Sequence, residues 1–181
     1  MRVLSLAAAA LLALCGASTG AADREPDVIY VPTPQSVVED MLRLADVKKG
    51  DVLYDLGSGD GRIPVTAARK YGVRAVGIDI DSQRIREARH NAKKSGVTRL
   101  VSFRQQDLFE TDLREATVVT LYLLPDLNLK LRPRLLEQLR PGTRIVSHQF
   151  GMGDWKPAKT LETGSATVYL WIVPPRKAAR S

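Results

Sequence analysis

Short apolar runs that suit buried strands alternate with amphipathic helical segments over most of the chain. The clearest succession is a strand at 51–55, a helix at 62–71 and a second strand at 74–79. Gly72 favours a sharp end to that helix, because glycine readily adopts positive φ. Strands that alternate with helices indicate a parallel sheet covered on both faces. The sequence therefore predicts one doubly wound α/β domain of Rossmann-like type, mostly parallel, with a C-terminal antiparallel hairpin strand.

The other predicted elements continue this alternation. Thr33 is a good N-cap and Pro34 suits the first helical position, so a helix is expected to begin there and to end before Gly50. The remaining predictions are a helix at 82–95, strands at 100–104 and 117–123, a helix at 127–139 that bends or restarts at Pro133, a strand at 144–148 and a hairpin at 160–161 and 166–173.

Composition narrows the class of protein. The chain has 181 residues and a net charge of +7, and this length suits a single domain. One cysteine, Cys15, excludes an intrachain disulfide framework, and two histidines argue against a histidine-rich metal site. Several basic residues share the helix at 82–95, and we interpret them as a solvated face. Nucleic acid is not indicated as a partner, because no aromatic residues are interleaved with that charge.

The first 22 residues show the succession of basic, apolar and small residues that is typical of a secretory signal peptide. Arg2 is followed by an apolar run up to Leu14 and then by small residues ending at Ala22. The run is too short for a transmembrane helix, which needs roughly 20 residues. We therefore expect a signal peptide at 1–22, a domain at 23–173, a basic flexible tail at 174–181, and export to the periplasm or outside the cell. The alternative is an unprocessed extension on a cytoplasmic protein.

The turn between the first strand and its helix contains most of the residues that are suited to ligand binding. It reads Asp55-Leu56-Gly57-Ser58-Gly59-Asp60-Gly61-Arg62. Doubly wound sheets bind ligands at the carboxyl ends of their strands, and glycines let a ligand approach the backbone closely. Asp79 ends the next strand, where a carboxylate can accept both hydroxyls of a ribose. The turn therefore predicts a nucleoside-containing cofactor.

The spacing of the glycines separates two such cofactors. A dinucleotide site requires G-x-G-x-x-G, whereas this turn reads G-x-G-x-G with Arg62 in place of the last fingerprint glycine. Asp55 and Asp60 flank the turn; they would repel a pyrophosphate and attract a cationic amino acid group. These features favour S-adenosylmethionine over a nicotinamide dinucleotide.

The turn resembles motif I of the class I, seven-stranded S-adenosylmethionine-dependent methyltransferases. Further segments resemble a compact subfamily that includes archaeal broad-specificity and mitochondrial protein lysine methyltransferases. These segments are Tyr30-Val31-Pro32-Thr33-Pro34, Thr120-Leu121-Tyr122-Leu123-Leu124 and Val146-Ser147-His148. The resemblance covers about 30–173; Gln149 departs from it, standing where an acidic residue is expected.

The resemblance implies roles for individual residues. Asp55 would help to hold the cofactor's ammonium group, and Asp79 would take the ribose hydroxyls. Gly57 and Gly59 would bring the backbone close to the methionine part. Asp107 would accept a hydrogen bond from the adenine amino group, with a turn cap as the alternative. The remaining residues of this cofactor site are Ser58, Ile80 and Leu108.

The end of the fourth strand would face the transferred methyl group. Tyr122 is a candidate to line a channel for the acceptor, and Asn128 and His148 are further candidates on the substrate side. His148 has the alternative role of a hydrogen-bonded structural residue. The segment 30–34 is stiffened by two prolines, and the resemblance suggests that it lies over the cofactor site.

Three functions stay open at this point. The first is a protein lysine N-methyltransferase, favoured because the short stretch at 108–116 leaves no room for a lid domain. An apolar channel would favour the neutral, nucleophilic form of the lysine amine, whose reference pKa is about 10.4. The second is a methyltransferase for RNA or a small molecule. The third is a non-catalytic domain that binds S-adenosylmethionine.

Overall fold

The computed structural model describes residues 30–164 and 166–176. Its single sheet has seven strands in the order β3-β2-β1-β4-β5-β7-β6. The elements in chain order are α1 (Gln35–Leu44), β1 (Val52–Leu56), α2 (Arg62–Tyr71), β2 (Arg74–Asp79), α3 (Ser82–Lys94), β3 (Val101–Gln105), a 3₁₀ turn (Leu108–Glu110), β4 (Val118–Leu121), α4 (Pro125–Gln138), β5 (Arg144–His148), β6 (Lys159–Thr163) and β7 (Ala166–Ile172).

The first five strands pair in parallel, and β7 pairs antiparallel with both β5 and β6. This arrangement confirms the predicted fold class. β1 lies between β2 and β4, so the direction of winding reverses at β1. The carboxyl end of β1 is therefore the topological switch point, where open α/β sheets bind their ligands.

Alternate side chains of the strands supply two cores, one on each face of the sheet. Leu53 of β1 belongs to the core that packs under α1, α2 and α3. Its neighbour Tyr54 belongs to the other core, which packs under α4. No α-helix connects β3 to β4, only the 3₁₀ turn, and Phe109 and Leu113 from that connection help to cover the second face. This short connection itself adds no lid domain above the switch point.

The start of α1 differs from the sequence prediction. The carbonyl of Pro34 accepts the first helical bond, from the amide of Val38, and α1 has no side-chain cap. Thr33 is therefore not the N-cap. Its hydroxyl instead lies 3.1 Å from Nδ1 of His148, a buried partner that is distant in sequence. A long-range hydrogen bond has replaced the expected local one.

α4 and β4 also differ from the prediction. α4 begins at Pro125, two residues early, and continues through Pro133 without a break. Pro133 is exposed, so the helical carbonyl that it leaves without an N–H partner lies on the solvent side. β4 ends at Leu121 rather than at Leu123. Tyr122 and Leu123 consequently lie beyond the strand, at the switch-point edge of the sheet.

Two of the predicted segments fall outside the described residues. The expected signal peptide at 1–22 lies there entirely, as does 177–181 of the expected tail. Arg176, just before that limit, donates a hydrogen bond to the carbonyl of Glu137 at 2.9 Å. Within the described ranges, no helix is both long enough and apolar enough to cross a membrane.

Candidate functional site

A pocket lies at the carboxyl end of β1, between the glycine turn and the N-terminal segment. Its wall includes most of the residues that the sequence assigned to a cofactor. These are Asp55, Gly57, Ser58, Asp79, Ile80, Asp107 and Leu108. The wall also contains Tyr122, the predicted substrate-side residue, and residues 30–33. We call residues 30–33 the N-terminal strap; its place in the wall agrees with the predicted covering segment.

The glycine turn is held by the end of the neighbouring strand β2. The amides of Gly57 and Ser58 both donate to the carbonyl of Ile78 at 2.9 Å. The amide of Gly59 donates to Oδ2 of Asp79 at 2.7 Å. Gly57 and Gly59 adopt φ values of 81° and 51°, which side chains with a Cβ rarely tolerate. The protein's own hydrogen bonds to β2 therefore hold the turn in place.

Contacts within the protein already require both glycines. A Cβ on Gly57 would lie 3.0 Å from Cδ2 of Leu123, and a Cβ on Gly59 would lie 2.2 Å from the ring of Tyr30. Gly57 lines the pocket, whereas Gly59 lies beneath the Tyr30 ring of the strap. The sequence assigned both glycines to close approach by a ligand; the structure adds close approach by Leu123 and Tyr30.

Asp55 is a buried carboxyl group in the pocket wall. Its Oδ1 accepts a hydrogen bond from the hydroxyl of Thr120 at 2.7 Å. Burial, reinforced by the charges of Asp79 and Asp60, raises the pKa of Asp55 to about 8 despite that bond. Sequence reasoning missed Thr120, although a threonine in an otherwise apolar strand that pairs with Asp55 was a usable signal. A cation placed beside Asp55 would favour its ionised form.

Asp79 has two roles at the end of β2. Its Oδ2 accepts the Gly59 amide, and its Oδ1 accepts the Asp81 amide at 3.0 Å. Burial raises the pKa of Asp79, and the two backbone hydrogen bonds oppose that rise. Each carboxylate oxygen has a second lone pair, so Asp79 can also accept from a ligand in the pocket.

Asp60 is not the cation-attracting charge that the sequence suggested. The guanidinium of Arg62 binds its carboxylate through two contacts, at 3.0 and 2.7 Å. Burial opposes ionisation of Asp60, but the hydrogen bonds and charge of Arg62 outweigh it and lower the pKa of Asp60. Because Arg62 also donates to the carbonyl of Thr33 at 2.9 Å, this ion pair fastens the strap to the glycine turn.

Tyr30 fastens the other end of the strap. Its hydroxyl interacts with Asp60 and helps to lower the pKa of that carboxyl group, and the guanidinium of Arg84 lies 4.7 Å from the centre of its ring. Arg84 also pairs with Glu87 at 2.8 Å and approaches Asp81 at 3.7 Å. The interpretation of the α3 charges as a solvated face is therefore wrong for Arg84, which lines the pocket and orders Tyr30 through a cation–π contact.

Asp107 caps the 3₁₀ turn at the end of β3. Its Oδ1 accepts from the amide of Phe109 at 2.8 Å, which is the alternative role that the sequence left open. The residue also lines the pocket, between Gln106 and Leu108. The cap fixes the carboxylate at the pocket wall, so its structural role does not remove it from the predicted cofactor site.

Tyr122 belongs to a row of three aromatic rings. Its ring centre lies 3.9 Å from that of His148 and 6.2 Å from that of Phe150. Tyr122 lines the pocket, but His148 does not; it is buried behind Tyr122 and bonds to Thr33. Burial lowers the pKa of His148, which favours the neutral form of its ring. His148 supports the wall rather than facing an acceptor.

Asn128 is a second substrate-side candidate that does not reach the pocket. It is fully buried, and its side-chain amide donates to the carbonyls of Phe150 at 3.3 Å and Gly151 at 3.2 Å. These bonds hold the loop after β5. The sequence shows a polar residue on a helix near the site, but only the fold shows that its side chain points into the protein.

The pocket fits S-adenosylmethionine on the evidence of its polar atoms. The hydroxyl of Ser58 is buried in the wall and has no hydrogen-bond partner among the described residues. Buried polar groups rarely stay unpaired, so a ligand donor or acceptor is expected there. Asp55 and Asp79 add two carboxyl groups, suited to an ammonium and to hydroxyls. In the described ranges, no cluster of three or more potential metal ligands occurs.

Comparison with known proteins agrees with this geometry. The profile of the ANTKMT methyltransferase domain matches residues 55–159. A protein-lysine N-methyltransferase of Saccharolobus islandicus is 48% identical over 157 residues, covering 84% of this chain and 98% of that protein. The adenine nucleotide translocase lysine N-methyltransferase of Mus musculus is 33% identical over 147 residues, covering 81% of this chain and 63% of that protein.

A solved structure is also similar. The crystal structure of an RNA methyltransferase from Salinibacter ruber, in complex with S-adenosyl-L-homocysteine, superposes with a TM-score of 0.80 at 59% identity. The match covers 83% of this chain and 98% of that one. The fold, the pocket and these matches define a class I S-adenosylmethionine-dependent methyltransferase, an enzyme rather than a non-catalytic binding domain. The chain belongs to the ANTKMT methyltransferase domain family.

Proposed function

We propose that this enzyme transfers methyl groups from S-adenosylmethionine to lysine side chains of proteins. The observation that carries the proposal is the wall of the pocket after β4, where Tyr122, Leu123 and Leu127 offer an aromatic and aliphatic surface. Relatives named as lysine methyltransferases, at 48% and 33% identity, support the same substrate class.

Methyl transfer to lysine requires the wall after β4 to remove water from the lysine amine. S-adenosylmethionine supplies an electrophilic methyl group, so the protein must present a neutral nucleophile in line with it. A lysine amine has a reference pKa of about 10.4, and apolar surroundings lower that pKa by disfavouring the charged form. Tyr122 and the two leucines provide such surroundings. His148 stays behind Tyr122, where it holds the ring in place.

RNA is the second candidate substrate, because the similar Salinibacter ruber protein is described as an RNA methyltransferase. The charge of +7 would also suit a nucleic acid. The pocket itself favours the lysine. Arg84, a cation of the pocket wall, is engaged by Glu87 and by the ring of Tyr30.

Labelled cofactor distinguishes the two substrates. The purified enzyme is incubated with methyl-labelled S-adenosylmethionine and a cell extract, in parallel with an extract whose lysines are acetylated and one treated with ribonuclease. We expect label in protein bands that resists ribonuclease and disappears after acetylation. Label that survives acetylation and is lost with ribonuclease would replace the lysine by RNA.

We also propose that residues 1–22 direct export of the enzyme. The basic, apolar and small residues of this segment support the proposal. Amino-terminal sequencing of the protein from its native cell should give a start close to Asp23. An intact Met1 in a cytoplasmic pool would contradict it.

A further inference from the structure

Two exposed aliphatic side chains belong to the pocket wall or directly follow it in the chain. Val31 of the strap lines the pocket and is 57% exposed. Leu124 is 48% exposed and lies between Leu123 and the α4 residue Leu127, both of which line the pocket. Single exposed aliphatic residues are common, but exposed aliphatic residues at or beside a binding pocket can serve as an interaction surface. We call Val31 and Leu124 the mouth pair.

The backbone holds both residues outward. Val31 is confined between Tyr30, whose ring lies beneath Arg84, and Thr33, whose carbonyl and hydroxyl bond to Arg62 and His148. Leu124 precedes Pro125, and its φ of −57° and ψ of 155° are the extended geometry that a following proline favours. These contacts and angles fix the backbone beside both residues in the arrangement that leaves their side chains exposed.

The charges beside Leu124 do not suit a phosphate backbone. Asp126, exposed in the first turn of α4, is acidic. Lys130, one turn further, places its ammonium over the ring of Phe109 at 4.1 Å. A free carboxylate next to aliphatic surface suits a cationic side chain carried by an apolar segment, and it would repel nucleic acid.

We propose that the mouth pair is a docking surface for aliphatic side chains that flank the acceptor lysine in a protein substrate. This inference rests on the proposed lysine methyltransferase activity. Its occupant is a polypeptide segment with large aliphatic residues next to the lysine. The aliphatic neighbours cover Val31 and Leu124 while the lysine enters along Tyr122, which also completes the exclusion of water from the amine.

Two peptides of equal length and net charge test this preference. In one peptide leucines flank a single lysine, and in the other serines flank it. We expect the wild-type enzyme to show a kcat/KM about tenfold higher for the leucine-flanked peptide, the size of effect that burying about two methylene groups produces. The difference should arise mainly in KM, because docking acts on binding rather than on the transfer step.

Two double variants test whether the mouth pair causes the preference for the leucine-flanked peptide. The double variant Val31→Ser, Leu124→Ser should lose most of the ratio between the two peptides. The matched control Leu136→Ser, Ile172→Ser removes aliphatic side chains of 37% and 42% exposure that do not line the pocket, and it should keep the wild-type ratio.

Three results would reject the docking surface but not lysine methylation. The first is equal kcat/KM for the two peptides. The others are a ratio between the peptides that the double variant keeps, or one that the control variant loses. Methylation of neither peptide, by enzyme that binds S-adenosyl-L-homocysteine, would reject both the docking surface and the lysine substrate.

Discussion

The hydroxyl of Thr33 lies 3.1 Å from Nδ1 of His148, although 115 positions separate the two residues in sequence. The contact joins the N-terminal strap to the end of β5. His148 in turn packs its ring against Tyr122, with the ring centres 3.9 Å apart. The cover of the pocket and its acceptor-side wall therefore form one connected unit.

Replacing Thr33 with valine should weaken this unit. Thr33→Val keeps the shape of the side chain but leaves the buried ring nitrogen of His148 without its partner, which typically costs about 1–3 kcal/mol. Urea unfolding of Thr33→Val and of the control Thr33→Ser, which keeps the hydroxyl, measures the loss. Equal stability of the two variants would show that the hydrogen bond contributes nothing.

Gly59→Ala should disturb the strap more than the turn. The new Cβ would lie 2.2 Å from the ring of Tyr30, so the ring must leave its place over the turn. We expect calorimetric titration to show about tenfold weaker binding of S-adenosyl-L-homocysteine, because about 1.4 kcal/mol of lost wall contact is a factor of ten.

Two further variants separate the clash from backbone strain. Gly72 has a φ of 66° and nothing within 4 Å of its would-be Cβ, so Gly72→Ala carries the strain alone and should not change binding. In a Tyr30→Ala background, Gly59→Ala should have little additional effect on binding, since the clashing ring is gone. An undiminished effect in that background would remove Tyr30 from the explanation.

Local sequence patterns were enough to predict the order of the strands and helices and the edge of the sheet that carries the site. The predicted bounds of α2 and β2 agree with the structure, because Gly61 and Gly72 adopt left-handed conformations at the two ends of α2 and the short run of β2 contains the β-branched residues Val76 and Ile78. The carboxyl ends of parallel strands meet at one edge, so the sequence alone assigns Asp55 and Asp79 to a common site.

Partners distant in sequence could not be predicted in the same way. The sequence presents Thr33 as a helix cap, Asp60 as a free charge and Asn128 as a site residue. Thr33 bonds to His148 and Asn128 bonds to the loop carbonyls after β5, and both partners are distant in sequence. Asp60 pairs with Arg62, only two residues away, and also interacts with the distant strap residue Tyr30. Hydrogen-bonding groups take whatever partner the tertiary fold supplies, and that choice is not encoded in local periodicity.

Asp79→Ala should damage both the cofactor site and the turn. Loss of charged acceptors, each worth about 1.5–3 kcal/mol, should lower cofactor affinity at least tenfold. The loss of its bonds to Gly59 and Asp81 should also lower the free energy of unfolding, by about 1–3 kcal/mol. This second effect follows from the two backbone hydrogen bonds that the structure shows at Asp79.

Asp51 supplies a control for that variant. It is a buried carboxylate that accepts from the amide of Lys48 and from the hydroxyl of Thr117, and it does not line the pocket. Asp51→Ala should lower stability while leaving the affinity for S-adenosyl-L-homocysteine as in the wild type. If Asp79→Ala binds as tightly as Asp51→Ala does, the ribose is not held by Asp79.

The buried Asp55 should make the stability of the free enzyme depend on pH. Its pKa in the folded protein is about 8, whereas an aspartate in an unfolded chain titrates near pH 3.9. Between these values the folded state holds a proton that the unfolded state has lost. The free energy of unfolding should therefore fall as the pH rises through this window, with a limiting slope of about 1.4 kcal/mol per pH unit.

Asp55→Asn isolates this contribution from every other titrating group. The variant cannot ionise at position 55, and its carbonyl can still accept from Thr120, so the difference in stability between variant and wild type should grow in favour of the variant from pH 5 to pH 8. Urea unfolding at a series of pH values measures it. A bound ligand ammonium beside Asp55 would stabilise the carboxylate, so saturating S-adenosyl-L-homocysteine should reduce the wild-type slope. A wild-type slope parallel to that of Asp55→Asn would mean that Asp55 is already ionised in the free enzyme.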